Sequence, residues 1–260
     1  MGVCDSGNNT KEANIPNGTS QFKKETIIGK QPPIPIDPCL ANPLKALCFI
    51  KTPSTLGSGF LIKLFKGDQN FFCLITCEHV ITKEMVNQRA KINFFYDSLN
   101  RKLKEIVLNP DERFIQDFRN PNEKEYDIDA IVIEILPKDN ISKEYFLLPD
   151  IRSIYNFNNL ENENITIIQY PKGKLSYSYG KIKEVYNNKY EFSHLASTKE
   201  GSSGSPIFLK DSIQVIGIHR GGGVSDENYG EFIGPIFKYF KNFTVKKEPW
   251  NKYIYIIISR

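Results

Sequence analysis

Residues 201–206 read Gly201-Ser202-Ser203-Gly204-Ser205-Pro206, and the chain passes from them straight into the apolar Ile207-Phe208-Leu209. A serine hydroxyl is a poor nucleophile until a base takes its proton and donors hold the oxyanion that forms. A tight glycine-rich turn serves both needs, because it exposes the side chain and aims backbone N–H groups at one point. The N–H groups of Gly201 and Ser203 are the candidate donors. A Gly/Ser linker has a similar composition, but this segment is short and ends in a strand pattern.

A base must then be found among three histidines, His79, His194 and His219. His79 ends the apolar run Phe72-Cys73-Leu74-Ile75-Thr76-Cys77-Glu78-His79-Val80. A histidine just past a buried strand is held rigidly, which suits a general base. A carboxylate to orient that imidazole is offered by Tyr126-Asp127-Ile128-Asp129-Ala130-Ile131-Val132-Ile133, where burial without a partner would be costly. Asp127 and Asp129 both qualify.

Working outward, six strand-length runs rich in Ile, Val, Phe and Leu precede residue 136: Ala46–Lys51, Gly59–Phe65, Phe71–Cys77, Lys91–Tyr96, Leu103–Leu108 and Ile128–Ile135. Gly67-Asp68 marks a hairpin between the second and third. Six more follow: Ile165–Tyr170, Ser176–Val185, Tyr190–Leu195, Pro206–Leu209, Gln214–His219 and Tyr229–Ile233, with Asn187-Asn188 as a hairpin turn. Then Ile233, Ile236, Phe237 and Phe240 recur at helical spacing behind Gly234-Pro235, a helix-start signal. Residues 109–126 are charged and patternless and read as a surface loop. Two sets of six strands and a terminal helix predict an all-β chain of two packed six-stranded antiparallel barrels.

Composition is that of an ordinary globular chain: 260 residues, 40% hydrophobic, 25% charged. The net charge of +4 is spread among acids, so no basic tract announces nucleic acid, and most charges read as solvated surface. Residues 1–42 are rich in Asn, Gly, Thr, Ser, Lys and Pro and read as a flexible tail. Five cysteines (Cys4, Cys39, Cys48, Cys73, Cys77) form no framework, and no secretory signal opens the chain. Free thiols and a reducing, cytoplasmic compartment are expected. The opening Met1-Gly2-Val3-Cys4-Asp5-Ser6 fits the pattern for N-myristoylation at Gly2, with Cys4 placed for a second acyl chain; two chains would hold the protein at a membrane. A chance match within the tail is the alternative.

With its order His, Asp, Ser and its three motifs each beside a strand, the sequence resembles the chymotrypsin-fold serine peptidases over about residues 45–242. The resemblance implies an endopeptidase acting on protein or peptide substrates without a cofactor, in a domain spanning 43–247. Its first barrel would cover about 43–140 and its second about 141–247, with an extension at 248–260. It implies His79 as general base, Ser203 as nucleophile and Gly201 with Ser203 as oxyanion donors. Asp129 becomes the orienting acid by register, since Asp129-Ala130-Ile131-Val132-Ile133-Glu134-Ile135 follows the family's D-I-A-V-L-K-I pattern. Ile131 stands where Ala is usual, which keeps Asp127 as the other choice. Ser197 replaces the Asp that lets trypsins cut after basic residues, and Ser202 replaces the Asp that pairs with a freed N-terminus in zymogen activation.

Gly217-Ile218-His219-Arg220-Gly221-Gly222 resembles the G-I-H-x-G-G segment of glutamyl endopeptidases, in which the histidine lines the specificity pocket with a threonine matched here by Thr198. That implies preference for Glu, or Gln or Asp, on the acyl side of the cut. Arg220 could favour an acid or face water. Two other readings stand beside the enzyme. One is a catalytically silent binding module of the same fold. The other is a zinc protein using Cys73, Cys77 and His79, whose Cys-x3-Cys-x-His spacing lacks a second ligand pair.

Overall fold

The structure is a computed structural model that describes residues 41–67, 69–119, 127–186, 190–210, 212–222 and 227–241, with backbone strands also at 245–246 and 254–255. Gly2, Cys4, Cys39 and the Asn187-Asn188 turn lie outside the described residues.

A short helix α1 (Ala41–Ala46) leads into β1 (Leu47–Lys51), β2 (Leu56–Lys66) and β3 (Gln69–Thr76). Helix α2 (Lys83–Asn87) follows, its first turn closed by the Thr82 hydroxyl, which accepts from the Met85 N–H. Then come β4 (Lys91–Tyr96), β5 (Lys102–Val107), β6 (Ile115–Asp117) and β7 (Ile131–Glu134). These strands form one antiparallel sheet in the order β5-β4-β1-β2-β3-β7-β6. The β2–β3 turn is Gly67, whose φ of 58° suits a residue without a side chain.

Helix α3 (Arg152–Tyr155) precedes β8 (Asn164–Gln169), β9 (Ser176–Tyr186), β10 (Glu191–His194), β11 (Pro206–Leu209), β12 (Val215–Gly222) and β13 (Asn228–Phe232). They close into a barrel, β10-β13-β12-β11-β8-β9. Helix α4 (Gly234–Lys241) follows, and a two-stranded pair, β14 (Val245–Lys246) with β15 (Ile254–Tyr255), lies beyond it.

The all-β reading and its twelve strands hold, while the first lobe departs from a six-stranded barrel. It is a seven-stranded half-barrel with edges at β5 and β6. The extra strand lies inside 109–126, which reads as loop in the sequence. Ile115-Gln116-Asp117 has one apolar residue and no alternation, so no local signal marks it. It becomes a strand because β7 offers an edge, paired over Ile115↔Ile133 to Asp117↔Ile131.

Two apolar cores result. One fills the barrel around Ile167, Phe192, Ile207 and Phe232. The larger begins under the half-barrel and runs through the junction between lobes, taking in Ile168, Phe208, Ile218 and Ile236. Helix α4 belongs to this second core: Phe240 stacks on Phe71 and meets Phe114 edge-on, so the last helix of the second lobe packs on the first. The connecting segment is sewn to both lobes. Leu147 exchanges backbone hydrogen bonds with Leu61 and Lys63, and Asp150 and Leu148 bond Val215.

Behind the half-barrel the buried Arg113 forms a two-pronged ion pair with buried Asp139 (2.9 and 3.2 Å) and also donates to the Glu134 carbonyl. Asp139 further accepts the Leu136 N–H. Removing one partner strands the other charge away from water. Arg113→Ala should therefore lose about 3–5 kcal/mol in urea unfolding. A loss near zero would mean that water or a nearby cation replaces the guanidinium.

Candidate active site

The turn 201–206 lies where the barrel meets the half-barrel. Gly201 and Gly204 have φ of 92° and 88°, which favour glycine. At Gly204 the lack of a side chain is also a packing requirement. A Cβ there would stand 2.1 Å from the Ser58 carbonyl oxygen on β2 and 2.4 Å from Thr76 Oγ1 on β3. The Ser203 carbonyl accepts the Ser58 N–H (2.8 Å), and the Ser58 hydroxyl donates to the Gly201 carbonyl (2.8 Å). On the barrel side, Gly204 N–H donates to the His219 carbonyl and His219 N–H to the Ser205 carbonyl. The Ser203 hydroxyl donates to the Arg220 carbonyl at 3.0 Å.

The Gly201 N–H is aimed by its own peptide. The Glu200 carbonyl accepts the Lys172 N–H at 2.7 Å. A trans peptide directs its carbonyl and N–H oppositely, so this bond turns the Gly201 N–H away from Lys172.

Strand β3 ends at Thr76, and three residues later His79 projects its Nδ1 to within 2.6 Å of Asp129 Oδ2. The His79 N–H also donates to Asp129 Oδ1 (3.2 Å), so the carboxylate grips ring and backbone together. Asp129 is 5% exposed and His79 21%. Asp127, the other carboxylate that the sequence offers, is exposed. Burial pushes the Asp129 carboxyl up, but the hydrogen bond and charge of His79, with Arg119 at 3.9 Å, more than offset it and hold the group below its ordinary range.

The Asp129 N–H donates to Glu231 Oε2 at 2.7 Å, across the lobe junction. Glu231 is 4% exposed, and Arg220 Nη1 stands 3.7 Å from it and 2.8 Å from Glu191. Arg220, 35% exposed, thus reaches partly into solvent but does not stand as an unopposed charge for an acidic ligand.

His219 Nδ1 lies 3.2 Å from His194 Nε2, both rings buried. The Ala196 N–H donates to His194 Nδ1 (3.3 Å). His194 therefore carries its proton on Nε2 and gives it to His219 Nδ1, which puts the His219 proton on Nε2. Burial, and then the neighbouring His219, push the His194 pKa well down, so this relay starts from a neutral ring. The Thr198 hydroxyl is buried with no hydrogen-bond partner among the described residues. Gln169 braces the segment by donating to Ser178 Oγ and the Ser197 carbonyl.

Cys77 Sγ, His79 Nδ1 and the Asp129 carboxylate lie within 4.8 Å of one another, a spacing open to a metal ion. Their hydrogen bonds already define the cluster. Nδ1 and Oδ2 share a proton, while Cys77 Sγ donates to the His219 carbonyl (3.3 Å). Burial foremost, then Asp129 and Glu231, push the thiol well above its usual pKa. Such a thiol is a poor metal ligand and a poor nucleophile. Cys73, the other thiol of the zinc reading, donates instead to the Ile62 carbonyl within the first sheet.

Four participants escape the sequence reading of the site. Ser58 sits in Gly57-Ser58-Gly59, small residues without alternation. His194 is a spare histidine, 25 residues from its partner His219. Glu231 and Arg119 read as solvated charges. Only Ser58, between two glycines in a strand pattern, carries a local hint of close approach.

A family model described as a trypsin-like peptidase domain matches residues 57–218. Among solved structures, a Glu endopeptidase in complex with MPD aligns with a TM-score of 0.60 and 19% identity over 83% of this chain and 97% of that one. Deg5 aligns at 0.53 with 14% identity over 76% and 88% of the two chains, and a serine endoprotease from Yersinia pestis at 0.54 with 16% identity over 80% and 66%. No curated protein sequence matches the chain.

The contact at residue 204 yields a sharp expectation. Gly204→Ala should slow fluorophosphonate labelling about a hundredfold or more, because an added Cβ must displace the Ser203 turn by roughly an ångström. Mass spectrometry of the labelled peptide would measure this, and a wild-type rate would mean that the turn is not tied to β2.

Proposed function

Because the chain belongs to the trypsin-like peptidase family and is a serine endopeptidase, we propose that Ser203 is its nucleophile, His79 its general base and Asp129 the group that orients His79. The observation that carries this reading is the 2.6 Å hydrogen bond between His79 and Asp129, beside the strand ends on which the Ser203 turn is seated. With Nδ1 committed to Asp129, the His79 atom for proton transfer is Nε2. Ser203 Oγ attacks the scissile carbonyl carbon while its proton passes to Nε2. The N–H groups of Gly201 and Ser203 hold the oxyanion. Collapse breaks the C–N bond, the amine leaves with the proton, and water then cleaves the acyl-enzyme by the same route in reverse roles.

The same proposal assigns the side chain before the cut to Thr198 and His219. The neutral His194 presents His219 as a donor through Nε2, and the buried Thr198 hydroxyl supplies a second donor. Two donors suit an oxygen-bearing side chain, and the resemblance of residues 217–222 to glutamyl endopeptidases makes Glu the proposed preference, with Gln or Asp as the nearest competitors. Gly2 acylation, with Cys4 as the second site, is proposed on its sequence pattern and would tether the enzyme to a membrane surface.

A fluorophosphonate should label Ser203 in the wild type and nothing in Ser203→Ala. Digestion of a peptide library should give cuts after Glu above all. Thr198→Ala should lower kcat/KM on Glu substrates about tenfold, with little change on substrates having Ala there. Cuts unrelated to Glu, Gln or Asp would sink the specificity assignment and leave the triad standing.

A further inference from the structure

We propose that Glu231 is a positioning residue for Asp129, held in place by Arg220, so that one outward-facing carboxylate of the barrel aligns the catalytic acid of the other lobe. This inference rests on the triad assigned above. Strand parity starts the argument. On β13, Gly230 faces the barrel interior, where a Cβ would meet the Phe192 ring at 2.6 Å. Its neighbour Glu231 must face outward. An outward carboxylate on a barrel is ordinarily solvated, whereas this one is 4% exposed, because the outward face here is the junction with the half-barrel. Its Oε2 takes the Asp129 N–H at 2.7 Å. That N–H is buried, and without Glu231 it would lose its acceptor at the residue that must grip His79.

Arg220 is placed by a bulge. His219 pairs with Gly230 and Gly221 with Tyr229, so Arg220 is an extra residue in β12. Bulges re-aim side chains, and they occur beside active sites. Here the bulged residue faces two ways. Its carbonyl accepts the Ser203 hydroxyl at 3.0 Å, and its guanidinium lies between Glu191 (2.8 Å) and Glu231 (3.7 Å). A short path of covalent bonds, hydrogen bonds and one ion pair therefore joins the nucleophile to the backbone of the orienting acid.

The charged and titratable groups facing Glu231 are Asp129, Arg220, Glu191 and Cys77. Burial foremost, and then the Asp129 charge, push its carboxyl up to about 8, against the pull of Arg220 and the Asp129 N–H. Either protonation state accepts that N–H. The acid form prevails below about 8, and a negative charge appears behind Asp129 as pH rises through that value. The added charge favours the imidazolium of His79, so activity gains an inflection in that window.

The test is steady-state kinetics on a nitrophenyl ester, which makes no demand on the specificity pocket. Rates are normalised to sites titrated with a fluorophosphonate. Per titrated site, Glu231→Ala should lose about tenfold to a hundredfold in kcat with KM nearly unchanged. Glu231→Gln, which still offers an acceptor, should recover most of that loss while its pH–rate profile lacks the inflection near 8. Wild-type kcat per site in Glu231→Ala overturns the proposal, since a merely structural role would lower the fraction of active protein and not the rate of each site. If Glu231→Ala fails to fold, a Glu231→Gln profile superimposable on the wild type overturns it equally. Wild-type protein that is not labelled at Ser203 would instead sink the triad assignment itself.

Discussion

The close approach of Gly204 to strands β2 and β3 is the constraint on which the site depends. With a Cβ only 2.1 Å from the Ser58 carbonyl oxygen, no side chain larger than hydrogen fits at this position without moving backbone. The approach lets the Ser58 N–H reach the Ser203 carbonyl, and it places the turn against Thr76, the last residue of β3. His79 lies three residues beyond that point. A turn on one lobe and a histidine on the other are thus held through a few backbone contacts, and not through the flexible ends of long side chains. The larger apolar core supports this by running beneath the junction, and α4 closes it from behind.

Two polar systems meet at this junction, and they are kept apart in charge. On one side Asp129, Arg220, Glu191 and Arg119 form a cluster of opposed charges around the buried Glu231, with the two arginines partly exposed. Charges so placed are tolerable only when paired or hydrogen-bonded. On the other side the His194–His219 relay begins from a neutral ring in a wholly buried setting. The first arrangement suits stabilising a transient imidazolium. The second suits donating a hydrogen bond to an oxygen. The His219 backbone joins them, since its carbonyl receives both the Gly204 N–H and the Cys77 thiol.

Much of this molecule was legible in one dimension. Strand runs such as Lys91–Tyr96 and Pro206–Leu209 coincide with the observed elements, because apolar alternation in the first and a short continuous apolar run in the second are local properties that burial enforces. Residues 201–206 likewise announced a tight turn, since positive φ at Gly201 and Gly204 is written in the residue type itself. Strand β6 was illegible because its three residues pair only with an edge presented by β7. Arg220 could be seen but not aimed, because a bulge is a miscount between two strands and neither strand alone records it.

The sequence by itself determined twelve strands in their order, the terminal helix, the turn that carries Ser203 and the apolar approaches to His79 and Asp129. Those features depend on residue type and on neighbours within a few positions. Only the tertiary structure decided that Asp129 and not Asp127 meets His79, that His194 stands behind His219, and that Glu231 crosses the junction to the Asp129 N–H. Each of these joins residues from different strands or lobes, and Glu231 and Asp129 stand 102 positions apart. Such contacts follow from sheet register and lobe packing, which arise from the sum of many burials and are encoded at no single site.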